Sequence, residues 1–277
     1  MAGERSEGVE NGLGAKARMN VAMMQPTFLP WQGFFELIYQ SDIFILLDDF
    51  QFSVQSYHQR NRLFSGPGKV DWYTVPVVKA RSFGLPLNAA CIDESSHWRK
   101  KMLNRLRHNY GKAPFFNEIV PKVEGWLADP AISLADHNMG FIRLVLELFG
   151  WKKDIKFSST YHSDLQRSGR VLELLRLCGA TKYYAANGSF GYMHEEGVFP
   201  VADIEVLFQN FAPKRYPQVG SPDEFVPFLS VLDSLFNIGP ENSAQLIIKG
   251  TDEWRGWGQM CLINREGRKV MESLEKK

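Results

Sequence analysis

Residues 56–63, SYHQRNRL, place an imidazole and two guanidiniums at alternate positions. In an extended segment His58, Arg60 and Arg62 share one face, and Gln59 and Asn61 take the other. Two guanidinium forks on one side suit a diphosphate or a carboxylate, because each fork holds two oxygens. A neighbouring imidazole can act as a general base. The same alternation also describes a solvated edge strand whose positive side chains discourage edge-to-edge pairing. Upstream, Asp48 and Asp49 close an apolar run. Side chains of successive residues at a strand end point opposite ways, so one aspartate is expected at a site and the other on a turn.

Other candidates are more isolated. Lys112, in YGKAP, adds a cation beside a glycine turn, but P-loop spacing is absent. NGSFG (187–191) reads as a turn that could offer backbone N–H groups and the Ser189 hydroxyl to an anion. Asn138 falls on the apolar face of a helix, where an unsatisfied amide costs roughly 1–3 kcal/mol, so a structural hydrogen bond to a neighbouring loop is expected. The six histidines lack HxxxH and HExxH spacing, and Cys91, Cys178 and Cys261 lack CxxC spacing. Neither a metal site nor a disulfide framework is implied.

The elements that position these groups read as strands alternating with helices. VAMM (21–24) is a short strand, QPTFLP a loop with two prolines, and WQGFFELI the start of a helix. SDIFILL (41–47) reads as a strand buried on both faces, completing a βαβ unit whose strand-to-helix loop is the expected ligand position. The GPG turn (66–68) suggests a hairpin into WYTVPV. Helices are expected over the ESSHWRKKMLNRLRHNY region, 134–150, 168–178 and 222–239, the last three stopped by Gly150, Gly179 and Gly239. TKYYAA (181–186) and IEVLFQNF (204–211) complete the strands. The fold class is α/β (mixed α+β), an N-terminal Rossmann-like βαβ unit with a largely helical C-terminal half. The expected division is a flexible leader at 1–18, a Rossmann-like α/β region at 19–130 and a mixed, mostly helical region at 131–277 packed against it, the alternative being a single domain over 19–277.

The 277 residues are 44% hydrophobic and 23% charged, enough for a sizeable core. A net charge of +1 gives no basic excess for DNA binding. No apolar run reaches membrane-spanning length, and the polar first eighteen residues lack an apolar signal region. A cytoplasmic protein without membrane insertion is expected.

Read together, QPTFLPWQGFFELI (25–38), DIFILLDDFQF (42–52), RNR within 59–63, WYTVPV (72–77), YGKAPFF (110–116), ATKYYAANG (180–188), YPQ (216–218) and SVLDSLFNIGPE (230–241) resemble the WbqC-like family in content and order. Residues beyond about 250 lie outside the resemblance, and His58 and Gln59 fall where the pattern varies. The family's frequent setting in polysaccharide and O-antigen gene clusters implies work on an activated sugar. The implied activity is transfer of an acyl or aminoacyl group, such as glycine, onto a nucleotide-linked amino sugar. On that reading Arg60, Arg62 and Lys112 meet the diphosphate, with Gln25 and Asn61 orienting the sugar. Asp48, Asp49 or His58 takes the amine proton, and Tyr216, Gln218, Asp233 and Asn237 form a second wall. No tightly bound cofactor is expected; the partners are the nucleotide-linked sugar and an acyl or aminoacyl carrier. The opening also resembles HIGH-type nucleotidyltransferases, with WQGF where their histidines stand. A non-catalytic nucleotide-sugar or partner-binding protein and a divergent nucleotidyltransferase remain as alternatives.

Overall fold

The computed structural model describes residues 18–275 apart from 132 and 222; the expected leader therefore lies, Arg18 excepted, outside the described residues. Chain order runs β1 (Asn20–Met24), α1 (Gln32–Gln40), β2 (Ile43–Leu46), then a hairpin of β3 (Arg60–Gly66) and β4 (Lys69–Thr74). Three helices follow, α2 (Trp98–Tyr110), α3 (Phe116–Ala128) and α4 (Leu134–Phe149). The chain continues through β5 (Asp154–Phe157), α5 (Arg167–Leu177), β6 (Lys182–Ala185), α6 (Phe190–Glu196) and β7 (Glu205–Phe208). It closes with α7 (Val231–Ile248), β8 (Arg255–Gly256) and α8 (Trp257–Glu275).

One six-stranded sheet has the order β5-β2-β1-β6-β7-β8, parallel throughout except for the antiparallel edge strand β8. The N-terminal βαβ unit is present, in register from Val21 opposite Ile43 to Met24 opposite Leu46. Strands from both sides of residue 130 share this sheet. Alternation along each strand supplies two cores. Ala22, Phe44 and Leu46 face a layer built with α1 to α4 and α7, whereas Val21, Met23, Ile43 and Ile45 face residues of α5, α6 and α8. Both faces being covered explains why these strands read as unbroken apolar runs.

Two glycines have identifiable steric jobs. A Cβ on Gly33 would lie 2.2 Å from the Trp31 ring, so WQGF packs its indole over the helix start. Gly239 has φ +79, and a Cβ there would meet the Phe115 ring at 2.7 Å. The expected stop at Gly239 is instead a kink: the chain turns at Gly239–Pro240 and resumes helix to Ile248, while 223–230 is not helical. A further difference is β5, whose DIKF alternates charge with apolar residues because it is an edge strand.

The sheet order places the topological switch at β1. From β1 the chain moves to β2 and outward to β5, then returns to β6 on the other side. The loops after β1 and β6 therefore leave in opposite directions and open a crevice at the strands' carboxyl ends.

Candidate functional site

Three adjoining cavities occupy that edge. The central one, about 470 Å³, lies over the carboxyl ends of β1 and β6 and is walled by Met23, Met24, Phe50, Tyr183 and Tyr192, with Gln25, Arg167 and Ser189 as polar members. Phe50 and Arg167 also line a polar lobe of about 640 Å³ that contains Asp49, Gln51 and Arg170. Met24 is shared with an aromatic lobe of about 380 Å³ containing Thr27, Trp31, Tyr57, Asn61, Arg62 and Phe228. Together they form a groove.

The QPTFLP loop is one wall and is firmly held. Asn61 donates from Nδ2 to the Phe28 carbonyl at 3.2 Å and the Leu29 carbonyl at 2.8 Å. Asn138 donates to the Pro26 carbonyl at 3.0 Å and the His58 carbonyl at 2.8 Å, the structural role expected of it. The Phe28 N–H reaches the Tyr57 carbonyl, and the Val231 N–H reaches that of Pro30. This anchoring holds Leu29 at a left-handed φ of 43°, a conformation that costs a residue with a Cβ and persists only when its surroundings impose it. Asn61 thus shapes the loop and supports the wall it lines.

Gln25 projects from the same loop into the central cavity. Its Oε1 lies 2.7 Å from His58 Nε2, and His58 Nδ1 accepts the Ser53 backbone N–H at 3.2 Å. A backbone N–H can only donate, so Nδ1 carries no proton and Nε2–H must donate to Gln25. Burial pushes His58 down to about 4, so this neutral tautomer holds at pH 7. Both imidazole nitrogens are engaged by the fold. His58 also sits in a turn before β3, so it does not continue the Arg60–Arg62 face as the alternation suggests.

Arg60 and Arg62 do share a face of β3, paired across the hairpin with Thr74 and Trp72. Arg60 lies over the Trp72 ring at 4.3 Å. Arg62 enters the aromatic lobe and makes one long contact, 3.4 Å, to the Phe228 carbonyl. The Nε atoms of both are buried without a partner, and neither ion-pairs with a carboxylate among the described residues. The other groove cations are engaged: Arg167 with Glu196, and Arg170 with Glu173, Asp49 and the carbonyls of Ser158 and Tyr161.

The aspartates do not point opposite ways, because Asp48 and Asp49 occupy a turn beyond β2 and not the strand itself. Both reach the Ser158 hydroxyl, which donates to Asp49 Oδ1 and lies 3.2 Å from Asp48 Oδ1. Asp48 also accepts from the Ser159 N–H, the Ser159 hydroxyl and Asn88, and is buried. Asp49 is 31% exposed and lines the polar lobe. The exposed carboxylate is therefore Asp49, with Asp48 knitting the loop after β5 to the turn.

Tyr216, Gln218, Asp233 and Asn237 come together, but inside the core. Tyr216 and Gln218 each donate to Asp233 Oδ2 at 2.7 Å, and Tyr110 donates to Oδ1 at 2.9 Å. Asn237 joins the Asp233 carbonyl to the Val219 N–H. Burial pushes the Asp233 carboxyl up, and burial with the nearby carboxylate pushes both phenols well up. None of the four lines the groove. Lys112 is exposed in the turn between α2 and α3, away from the cavity walls. Ser189 lines the central cavity while donating to the Ala186 carbonyl at 2.7 Å.

Sequence reasoning missed Phe50, Tyr57, Arg167, Tyr192 and Phe228. Their only sequence signal is an aromatic or cation in a connecting segment; folding is what assembles them along one edge.

Among the described residues no helix is long and apolar enough to cross a membrane. No solved structure gives a significant match to the chain. A protein of Mycobacterium tuberculosis (strain ATCC 25618 / H37Rv), described as uncharacterized protein Rv1507c, is 30% identical over 227 residues, covering 80% of this chain and 94% of that protein. The model of the WbqC-like protein family matches residues 25–245, which include the loop, both β3 arginines, the aspartate turn and the Asp233 cluster. The chain belongs to the WbqC-like protein family.

Proposed function

We propose that the groove binds a nucleotide-linked amino sugar and that the protein is a transferase of bacterial polysaccharide-precursor biosynthesis, placing an acyl or aminoacyl group such as glycine on the sugar amine. The observation that carries this reading is Arg62: a guanidinium without a carboxylate partner, in a groove at the switch point of a parallel sheet. An unpaired cation in such a place calls for an anion, and its fork fits a diphosphate. Arg60 stands beside it on the same strand face. The exposed rings of Tyr57 and Phe228 flank the same lobe and offer a nucleobase faces to stack on. From there the sugar reaches the central cavity, whose aromatic walls suit the C–H faces of a pyranose, and its amine lies where that cavity meets the polar lobe at Phe50 and Arg167, between Gln25 and Asp49.

The chemistry needs a neutral amine. Asp49 takes a proton from the sugar ammonium; the amine nitrogen then attacks the acyl carbon of a thioester or aminoacyl ester. The C–N bond forms, the carbonyl electrons return and break the C–S or C–O bond; the thiolate or alkoxide leaves with the proton Asp49 took, and the nitrogen gives its second proton to water.

Thermal unfolding with added nucleotides tests the binding step. A ligand at 100 times its Kd stabilises the native state by roughly 2.7 kcal/mol. A nucleoside diphosphate amino sugar should raise the melting temperature where the free nucleoside does not, and Arg62→Ala should cut that stabilisation by about half or more. No shift with any diphosphate ligand rejects the reading. Binding without acylated product under either donor class would make this a nucleotide-sugar-binding protein. Pyrophosphate release from a nucleoside triphosphate would replace acyl transfer by nucleotidyl transfer.

A further inference from the structure

The side-chain amide of Gln25 has two ends, and the fold engages only one. His58 Nε2–H holds Oε1 at 2.7 Å, and the Nδ1 that accepts from Ser53 prevents the imidazole from presenting a lone pair instead. The amide NH2 has no protein partner among the described residues and belongs to a side chain on the wall of the central cavity. A free glutamine serves donors and acceptors alike by flipping. This one cannot: a flip would set its NH2 against the His58 N–H and leave two donors facing each other. The side chain therefore has a fixed orientation whose unpartnered end, the NH2, is a donor, on a cavity with mostly apolar walls, where a hydrogen bond is stronger than in water.

We infer that Gln25, held by His58, recognises the acyl carbonyl oxygen on the sugar nitrogen and stabilises the oxyanion that forms there during transfer. The inference rests on the amino-sugar reading of the groove. A donor-only amide suits a carbonyl oxygen and suits an oxyanion better, because charge strengthens the bond. Its NH2 end offers nothing to an ammonium, which is itself only a donor. The same group thus favours the acylated nitrogen over the charged free amine. Gln25 is the contact residue in this scheme and His58 a positioning residue.

The test compares two probes by titration calorimetry near pH 6, where the sugar amine is charged: uridine diphosphate N-acetylglucosamine and uridine diphosphate glucosamine. The wild type should prefer the N-acetyl form by about tenfold, the worth of one buried hydrogen bond. Gln25→Glu retains an oxygen for His58 and turns an acceptor towards the cavity, so the preference should reverse. His58→Met frees the amide to rotate, so the ratio should fall towards one while both probes still bind; a purely structural role would weaken both equally. Equal wild-type affinities, or a ratio unmoved by Gln25→Glu, overturn the inference and leave the groove reading standing. Failure of both probes, and of the corresponding thymidine diphosphate pair, to bind overturns the groove reading and the inference with it.

Discussion

The groove and the cluster around Asp233 are built from the same kinds of residue, yet they differ in what remains unsatisfied. Around Asp233 every strong group is matched: two phenols and an amide meet the carboxylate, and Asn237 joins two backbone groups. In the groove Gln25 keeps two donors open, and Arg62 has a cation with no anion. Polarity by itself does not separate a site from a scaffold. Unused hydrogen-bonding capacity facing a cavity does.

The largest effect expected from this contrast is on stability. Asp233→Ala takes the acceptor from three donors, and the two that are buried, on Tyr110 and Gln218, each cost roughly 1–3 kcal/mol when left unpaired. Loss of about 3 kcal/mol or more should lower the melting temperature by roughly 6–12 °C. The comparison breaks if Asp233→Ala melts normally but no longer binds ligand, since the cluster would then belong to the site.

The two regions should also answer pH with opposite signs. His58 lies at about 4 in the fold against an ordinary 6.5, so the unfolded chain protonates first. Its contribution is complete above pH 6.5 and is lost as pH falls towards 4, on the order of 3 kcal/mol in all. Asp233 is shifted upward, so the fold retains a proton that the unfolded chain has released above 3.8. That contribution is complete below pH 3.8 and is lost as pH rises through the raised value. Chemical denaturation across pH 4–8 should show the acid limb shrink in His58→Met. In Asp233→Asn the decline on the alkaline side should flatten. Equal pH profiles for both variants would remove the electrostatic half of the comparison.

How far these regions were legible follows from the same distinction. The strands β1, β2, β6 and β7 were visible as apolar runs because helices cover both faces of the sheet. The edge strand β5 was hidden by Asp154 and Lys156, and the continuation of α7 by a Gly–Pro pair that kinks without stopping the helix. In the groove, Gln25 and Arg62 were readable from the strand-to-helix loop and the strand alternation. Arg167, Tyr192 and Phe50 were not, because they meet only when loops after three different strands fold together. The Asp233 cluster was misplaced for a different reason. Tyr216, Gln218, Asp233 and Asn237 have polar types that suit a ligand wall, and only the burial of Gln218, Asp233 and Asn237, with Tyr216 half-buried against them, reveals an internal network. One hint was available: Asp233 and Asn237 stand four apart among Val231, Leu232, Leu235 and Phe236, so they share a helix with core residues.

A smaller but more diagnostic effect is expected at Arg62. Arg62→Ala removes one long carbonyl contact, so stability should change by no more than about 0.5 kcal/mol. Affinity for a diphosphate ligand should fall about 10- to 100-fold, as for a charge-assisted hydrogen bond of roughly 1.5–3 kcal/mol. Binding and unfolding measured on one preparation give both numbers. A large stability loss with unaltered affinity would move Arg62 to the scaffold side.

The smallest expected effect belongs to Lys112, and it tests whether leftover capacity needs a cavity to matter. Like Arg62, its chemistry suits a phosphate and it carries no salt bridge among the described residues. Unlike Arg62, it stands exposed on the turn between α2 and α3, where water satisfies the ammonium. An exposed cation in high dielectric attracts an anion weakly, and salt screens what remains. Lys112→Ala should therefore change stability by less than about 0.5 kcal/mol and ligand affinity by less than about twofold, at 20 mM and 200 mM salt alike. A tenfold affinity loss confined to low salt would make Lys112 a steering charge. The same loss persisting at high salt would place it against the diphosphate, and the groove would have to extend to the α2–α3 turn.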